Sequence, residues 1–93
     1  MSNQTQTVDL VVAERKRELE RHRVVVDGDA VTPTETDDGQ AAVVLTLTPA
    51  DADAVRSGDL DLSVAFMRGT MKMAGDSAVL FRVLPVLSRN QPL

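Results

Sequence analysis

The run Ala65-Phe66-Met67-Arg68-Gly69-Thr70-Met71-Lys72-Met73-Ala74-Gly75-Asp76 constrains the fold more than any other stretch of this chain. Gly69 suits the end of a short helix, because glycine accepts the left-handed backbone that closes one. Residues 70–74 then alternate polar and apolar, the period of a strand. Gly75-Asp76 makes a corner and offers a carboxylate to cap a following helix. The pattern predicts one strand folded back under two helices, with Met71 and Met73 facing a single compartment. Large, flexible side chains in that position suit the wall of an apolar pocket and supply no catalytic chemistry.

The remaining sequence must supply the other walls. Ninety-three residues make one domain. Only Phe66 and Phe81 are aromatic, so the core is aliphatic and methionine-based. The net charge of −4 and a pI near 4.7 argue against a nucleic-acid partner, which asks for a basic stripe and stacking platforms. The same balance disfavours stable insertion into an anionic membrane. With no cysteine there is neither a disulfide nor a thiolate metal site. No apolar run approaches the roughly 20 residues of a membrane span. Residues 1–7 lack the basic start and apolar middle of a signal peptide. The expectation is a soluble, cytoplasmic chain with a disordered tail over 1–7, one domain over 8–87 and a polar tail over 88–93.

Local signals place most elements. Asp27-Gly28 between apolar runs signals a tight hairpin, with 30–32 as the returning strand and Pro33 marking an edge or an end. Residues 34–40 are acidic and read as a solvated loop, without the ligand spacing of a calcium site. Residues 41–48 alternate, with Val43, Leu45 and Leu47 on one face. Thr48 caps a helix that takes Pro49 in its first turn and stops at Ser57-Gly58. Asp61 caps a second helix ending at Gly69. Asp76 caps a third over 77–84, which Pro85 kinks or ends. Residues 8–22 are ambiguous: Val8, Leu10 and Val12 alternate as on a strand, yet the charged run 14–23 is built of good helix formers.

From residue 42 to residue 87 the chain resembles the sterol carrier protein type 2 (SCP2) family. The resemblance rests on the strand Val43-Val44-Leu45-Thr46-Leu47-Thr48, the Ser57-Gly58 helix end and the link Asp59-Leu60-Asp61-Leu62. It rests further on Ala65-Phe66-Met67-x-Gly69-x-Met71-x-Met73-x-Gly75-Asp76 and the closing helix Ala78-Val79-Leu80-Phe81-Arg82-Val83-Leu84. It implies an α+β fold, a five-stranded, mainly antiparallel sheet with three short helices. It also implies strands at 8–13 and 22–26 in place of a helix, joined by a long charged tip at 15–18. Family members usually begin with one or two helices that cover a sheet face and help enclose an apolar tunnel, whereas seven residues precede Val8 here. The expectation is therefore an uncovered aliphatic face, closed by a second copy or by a partner subunit.

The resemblance implies a ligand site lined by Phe66, Met67, Met71, Met73, Leu80, Phe81 and Leu84, taking a fatty acyl chain, an acyl-CoA or a sterol-like molecule. The competing reading is that these residues simply fill a small core, the usual role of methionines at this spacing. An interaction or accessory module docking through the sheet face is the rival function. The chain offers no nucleophile–base pair, so no enzyme is expected, and no metal or other cofactor. His22, among charged neighbours, reads as a solvated residue. Asp51, Asp53, Asp59 and Asp61 sit at helix starts, where capping is their natural role. Arg68 and Lys72 read as solubilising charges, or as groups that steer an anionic ligand.

Overall fold

The computed structural model describes residues 5–35, 39–90 and 93. Its elements run β1 (Gln6–Glu14), β2 (Arg17–Asp27), β3 (Ala30–Thr34), β4 (Val43–Leu47), α1 (Pro49–Ser57), α2 (Leu62–Met67), β5 (Lys72–Gly75) and α3 (Ser77–Asn90). One α+β sheet results, in the order β3-β2-β1-β4-β5. Three of its strand pairings are antiparallel and the central one, β1 with β4, is parallel. The first four residues of the expected 1–7 tail lie outside the described residues, as do 36–38 of the acidic loop and 91–92 of the polar tail.

Alternation along the strands separates two faces. Val8, Leu10, Val24, Val26, Val43, Leu45 and Leu47 turn to the helices and form one buried cluster with Val55, Leu62, Leu80 and Leu87. The other face is not the bare aliphatic surface that was expected. Register places Asp9 opposite Arg23 and Val11 opposite Arg21, with Thr46 opposite Lys72 further across, so ionic and hydroxyl groups occupy much of it.

The charged segment after β1 folds as a strand, and the long tip is absent. Glu14 pairs directly with Arg17, leaving a two-residue turn in which Arg15 has φ 62° and Lys16 φ 117°. Helix propensity loses because β1 is hydrogen-bonded on both edges, to β2 and β4, and tertiary pairing outweighs a weak local preference. The next turn is one residue later than Asp27-Gly28 suggested: Asp27 pairs with Ala30, so Gly28 and Asp29 form the bend.

The caps lie where local chemistry put them. The Thr48 hydroxyl accepts the Asp51 N–H at 3.2 Å, and Gly58 closes α1 at φ 87°. Asp61 accepts the Ser63 N–H at 2.8 Å, and Asp76 accepts those of Ala78 and Val79. Helix α3 differs from expectation, for it runs past Pro85 to Asn90. Pro85 removes one helical hydrogen bond, but Val86 and Leu87 beyond it are buried. Asn90 donates to the Val86 carbonyl at 2.8 Å, and Arg89 reaches Asp29 at 3.1 Å. Burial and docking onto the β2–β3 turn thus hold the last turn in helical form.

Candidate functional site

The seven residues expected to line a site occupy three depths. Met71, Leu80 and Leu84 lie in the buried cluster, and Phe66 and Met73 pack against its margin. Met67 and Phe81 stand on the surface, 83% and 64% exposed. Residues 65–67 begin in the core and end in solvent because one turn of α2 sweeps them around its axis. Phe66 and Phe81 meet edge to face, with ring centroids 6.0 Å apart at 81°, which ties α2 to α3. Ser63 and Ser88 join the same two helices through hydroxyls 2.6 Å apart.

The hollows of the molecule are lined by other residues, and their chemistry distinguishes them. One, about 730 Å³, lies at the β2–β3 edge among Arg21, His22, Arg23, Thr34 and Glu35. Its charged walls are wrong for an acyl chain. A cleft of about 360 Å³ opens between α3 and the start of the sheet. Val26, Val83 and Val86 make its apolar wall, while Gln6, Asp29 and Arg82 stand at its mouth. The three valines also belong to the buried cluster that holds Leu80 and Leu84, so the cleft leads directly onto the aliphatic layer. The sequence did carry a signal for it: Val83 and Val86 continue the apolar stripe of α3.

On the opposite face Asp9 is 1% exposed. Arg23 Nε donates to its Oδ1 at 2.7 Å and a second Arg23 N–H donates to Oδ2 at 3.1 Å. Arg21 reaches Oδ2 at 2.5 Å. The hydrogen bond from Arg23, and then the charges of Arg23 and Arg21, hold the carboxyl below its ordinary value against the opposing effect of burial. A carboxylate so engaged has little capacity left as a general base, and its role is to pin β1 to β2. Sequence reasoning missed this cluster, although Asp9 is the one acid inside the apolar run 8–13.

Glu20 makes a second tie. It accepts from His22 at 2.9 Å and from Arg56 of α1, and these two partners lower its pKa. Among the described residues no group of three or more potential ligands could hold a metal ion. No helix there is long and apolar enough to cross a membrane.

A sequence model of the SCP-2 sterol transfer family matches residues 6–88, and the chain belongs to that family. Among solved structures it is similar to palmitated SCP2L2 from Aedes aegypti, with 17% identity, TM-score 0.57, and coverage of 88% of this chain and 71% of that one. Sterol carrier protein 2 from Yarrowia lipolytica is similar over 95% of this chain and 70% of its own, at 17% identity and TM-score 0.54. The stereoselective inverting sec-alkylsulfatase Pisa1 from Pseudomonas sp. matches at 23% identity and TM-score 0.56, over 88% of this chain. This chain spans only 13% of that enzyme's length. No curated protein matches the sequence.

Proposed function

We propose that this protein is a non-enzymatic carrier that binds an apolar, chain-bearing molecule between α3 and the sheet. The observation that carries the reading is the valine-walled cleft opening onto the aliphatic layer. Family membership supports it, as does the likeness in fold to a relative solved with palmitate. A fatty acyl chain, the tail of an acyl-CoA or a sterol-like skeleton fits the chemistry. Each methylene withdrawn from water contributes about 0.8 kcal/mol. Met71, Leu80 and Leu84 would face the buried chain, with Phe66 and Met73 at the margin and Met67 and Phe81 at the α2–α3 surface. The carrier would act in the cytoplasm, without a cofactor or catalytic residues. Titration with a fluorescent long-chain fatty acid, competed by palmitate, an acyl-CoA and a sterol, tests it. Saturable binding that Val83→Trp abolishes by filling the cleft is the expected result. Absence of saturable binding by all of these ligands would overturn the reading.

A second reading is favoured by Val64, Met67 and Phe81, large apolar residues exposed on α2 and α3. They suit an interaction module that dimerises or docks on an enzyme. That contact would use the helical side, since ionic and hydroxyl groups occupy much of the sheet's outer face. Sedimentation that shows a monomer at all concentrations, together with ligand binding, excludes the dimer.

A further inference from the structure

Several basic residues of this chain tie distant segments together through ion pairs. Arg21 and Arg23 pair with Asp9, Arg56 with Glu20 and Arg89 with Asp29. Arg15, Lys16 and Lys72 instead converge on one open hollow of about 310 Å³ at the far end of β1, and no carboxylate lines it. None of these three makes an ion pair among the described residues. The chain carries 14 carboxylates against 10 Lys and Arg, so a counter-ion was available by composition. Gathering three unpaired cations focuses positive potential in this one concavity of an acidic protein.

Two further observations bear on the same place. Thr46 and Thr48 line the hollow, and Thr46 stands opposite Lys72 in the ladder. The Thr48 oxygen accepts the Asp51 N–H, which leaves its own proton free to donate. The turn that presents Arg15 and Lys16 holds both at positive φ, 62° and 117°. Two-residue turns of this kind normally take Asn-Gly. Two long cations in that conformation are strained, and such strain tends to be kept where the side chains serve a site.

We propose that this hollow binds a phosphate-type oxyanion. Arg15 supplies a planar fork of donors, Lys16 and Lys72 supply point charges, and the two threonine hydroxyls complete the donor set. A dianion balances three cations better than a single carboxylate does. The site is independent of the apolar cleft, which adjoins the opposite end of β1, about 25 Å away by strand rise. The phosphate can belong to a free phosphorylated metabolite or to a lipid headgroup.

Amide NMR titration of the whole chain with inorganic phosphate tests this, with chloride at equal ionic strength as the control. Saturable shifts at Arg15, Lys16, Thr46 and Lys72 are expected. Lys16→Gln with Lys72→Gln should weaken binding at least about tenfold, and the paired Lys→Arg variant should retain it. Parallel titrations with glycerol 3-phosphate and lysophosphatidate separate the sources. Equal affinity assigns a free phosphate, and much tighter lysophosphatidate binding assigns a headgroup. Shifts that track ionic strength alone, or that survive the double Gln variant, overturn the proposal. Fatty-acid binding measured on that same variant stays unchanged if the apolar cleft is separate.

Discussion

Gly75 passes so close to Ala42 that a Cβ built on it would lie 2.3 Å from the Ala42 carbonyl oxygen. The two residues stand at the junction of β4, β5 and α3. The same oxygen accepts the Asp76 N–H at 3.1 Å, and Asp76 caps α3. Gly75 also has φ 109°, a conformation that L side chains avoid. Gly75→Ala therefore combines a backbone clash with strain and should destabilise the fold by about 3 kcal/mol or more. Urea denaturation measures this directly. A loss below about 1 kcal/mol would mean that the β4–β5 corner yields easily.

The caps Thr48, Asp61 and Asp76 were legible in the sequence because a cap acts within three residues of itself. So were the alternating strand at β4 and the Gly75-Asp76 corner. Two features were not. The Arg15-Lys16 turn contradicts local preference and exists only because β1 is claimed on both edges by distant strands. The burial of Asp9 depends on Arg23, 14 residues away across the β1–β2 ladder, and a strand pattern alone cannot announce that partner. The site residues suffered from the same limit. The family resemblance grouped Met67 with Met71, but α2 ends between them, and Met67 is exposed whereas Met71 is buried. Pro85 misled for a related reason, since the burial that keeps α3 helical beyond it is tertiary.

Asp9 should make the stability of the protein depend on pH. Its carboxyl is held below the ordinary aspartate range by the Arg23 and Arg21 guanidinium groups, so the folded state favours the ionised form. This stabilisation is fully present above the unfolded pKa and is lost as pH falls through the lower, folded pKa. Asp9→Asn lacks that titration. Unfolding free energies of the two proteins, followed from neutral pH into acid, should differ most above the ordinary carboxylate range and converge below it. At neutral pH, Asp9→Ala should cost about 2 to 3 kcal/mol, as expected for hydrogen bonds to a charged group. Parallel pH profiles for the wild type and Asp9→Asn would show that Arg21 and Arg23 do not depress the pKa.

The three depths of the expected site residues separate stability from surface contact. Met71 is 3% exposed and Phe81 64%. Met71→Ala removes buried volume and should destabilise the fold by about 2 to 4 kcal/mol. Phe81→Ala loses little beyond its edge-to-face contact with Phe66, about 0.5 to 1.5 kcal/mol. Thermal or urea unfolding checks the ranking. Equal losses would place Phe81 in the core, and the exposed α2–α3 patch would then no longer be a candidate for docking.

The Arg15-Lys16 turn sets stability against binding. If left-handed φ at these residues stores strain, Arg15→Asn with Lys16→Gly should relieve it, since Asn-Gly is the natural occupant of such a turn. A gain of about 1 to 2 kcal/mol is expected, given the penalty of left-handed backbone for residues bearing a Cβ. The cross-strand pair Glu14–Arg17 stays intact, so the register of β1 and β2 is unchanged. The substitution also removes two of the three cations around the hollow, and phosphate-induced shifts at Thr46 and Lys72 should vanish. A more stable protein that no longer responds to phosphate would show that this turn gives up stability in order to present charge. A variant no more stable than the wild type would show the backbone there to be unstrained.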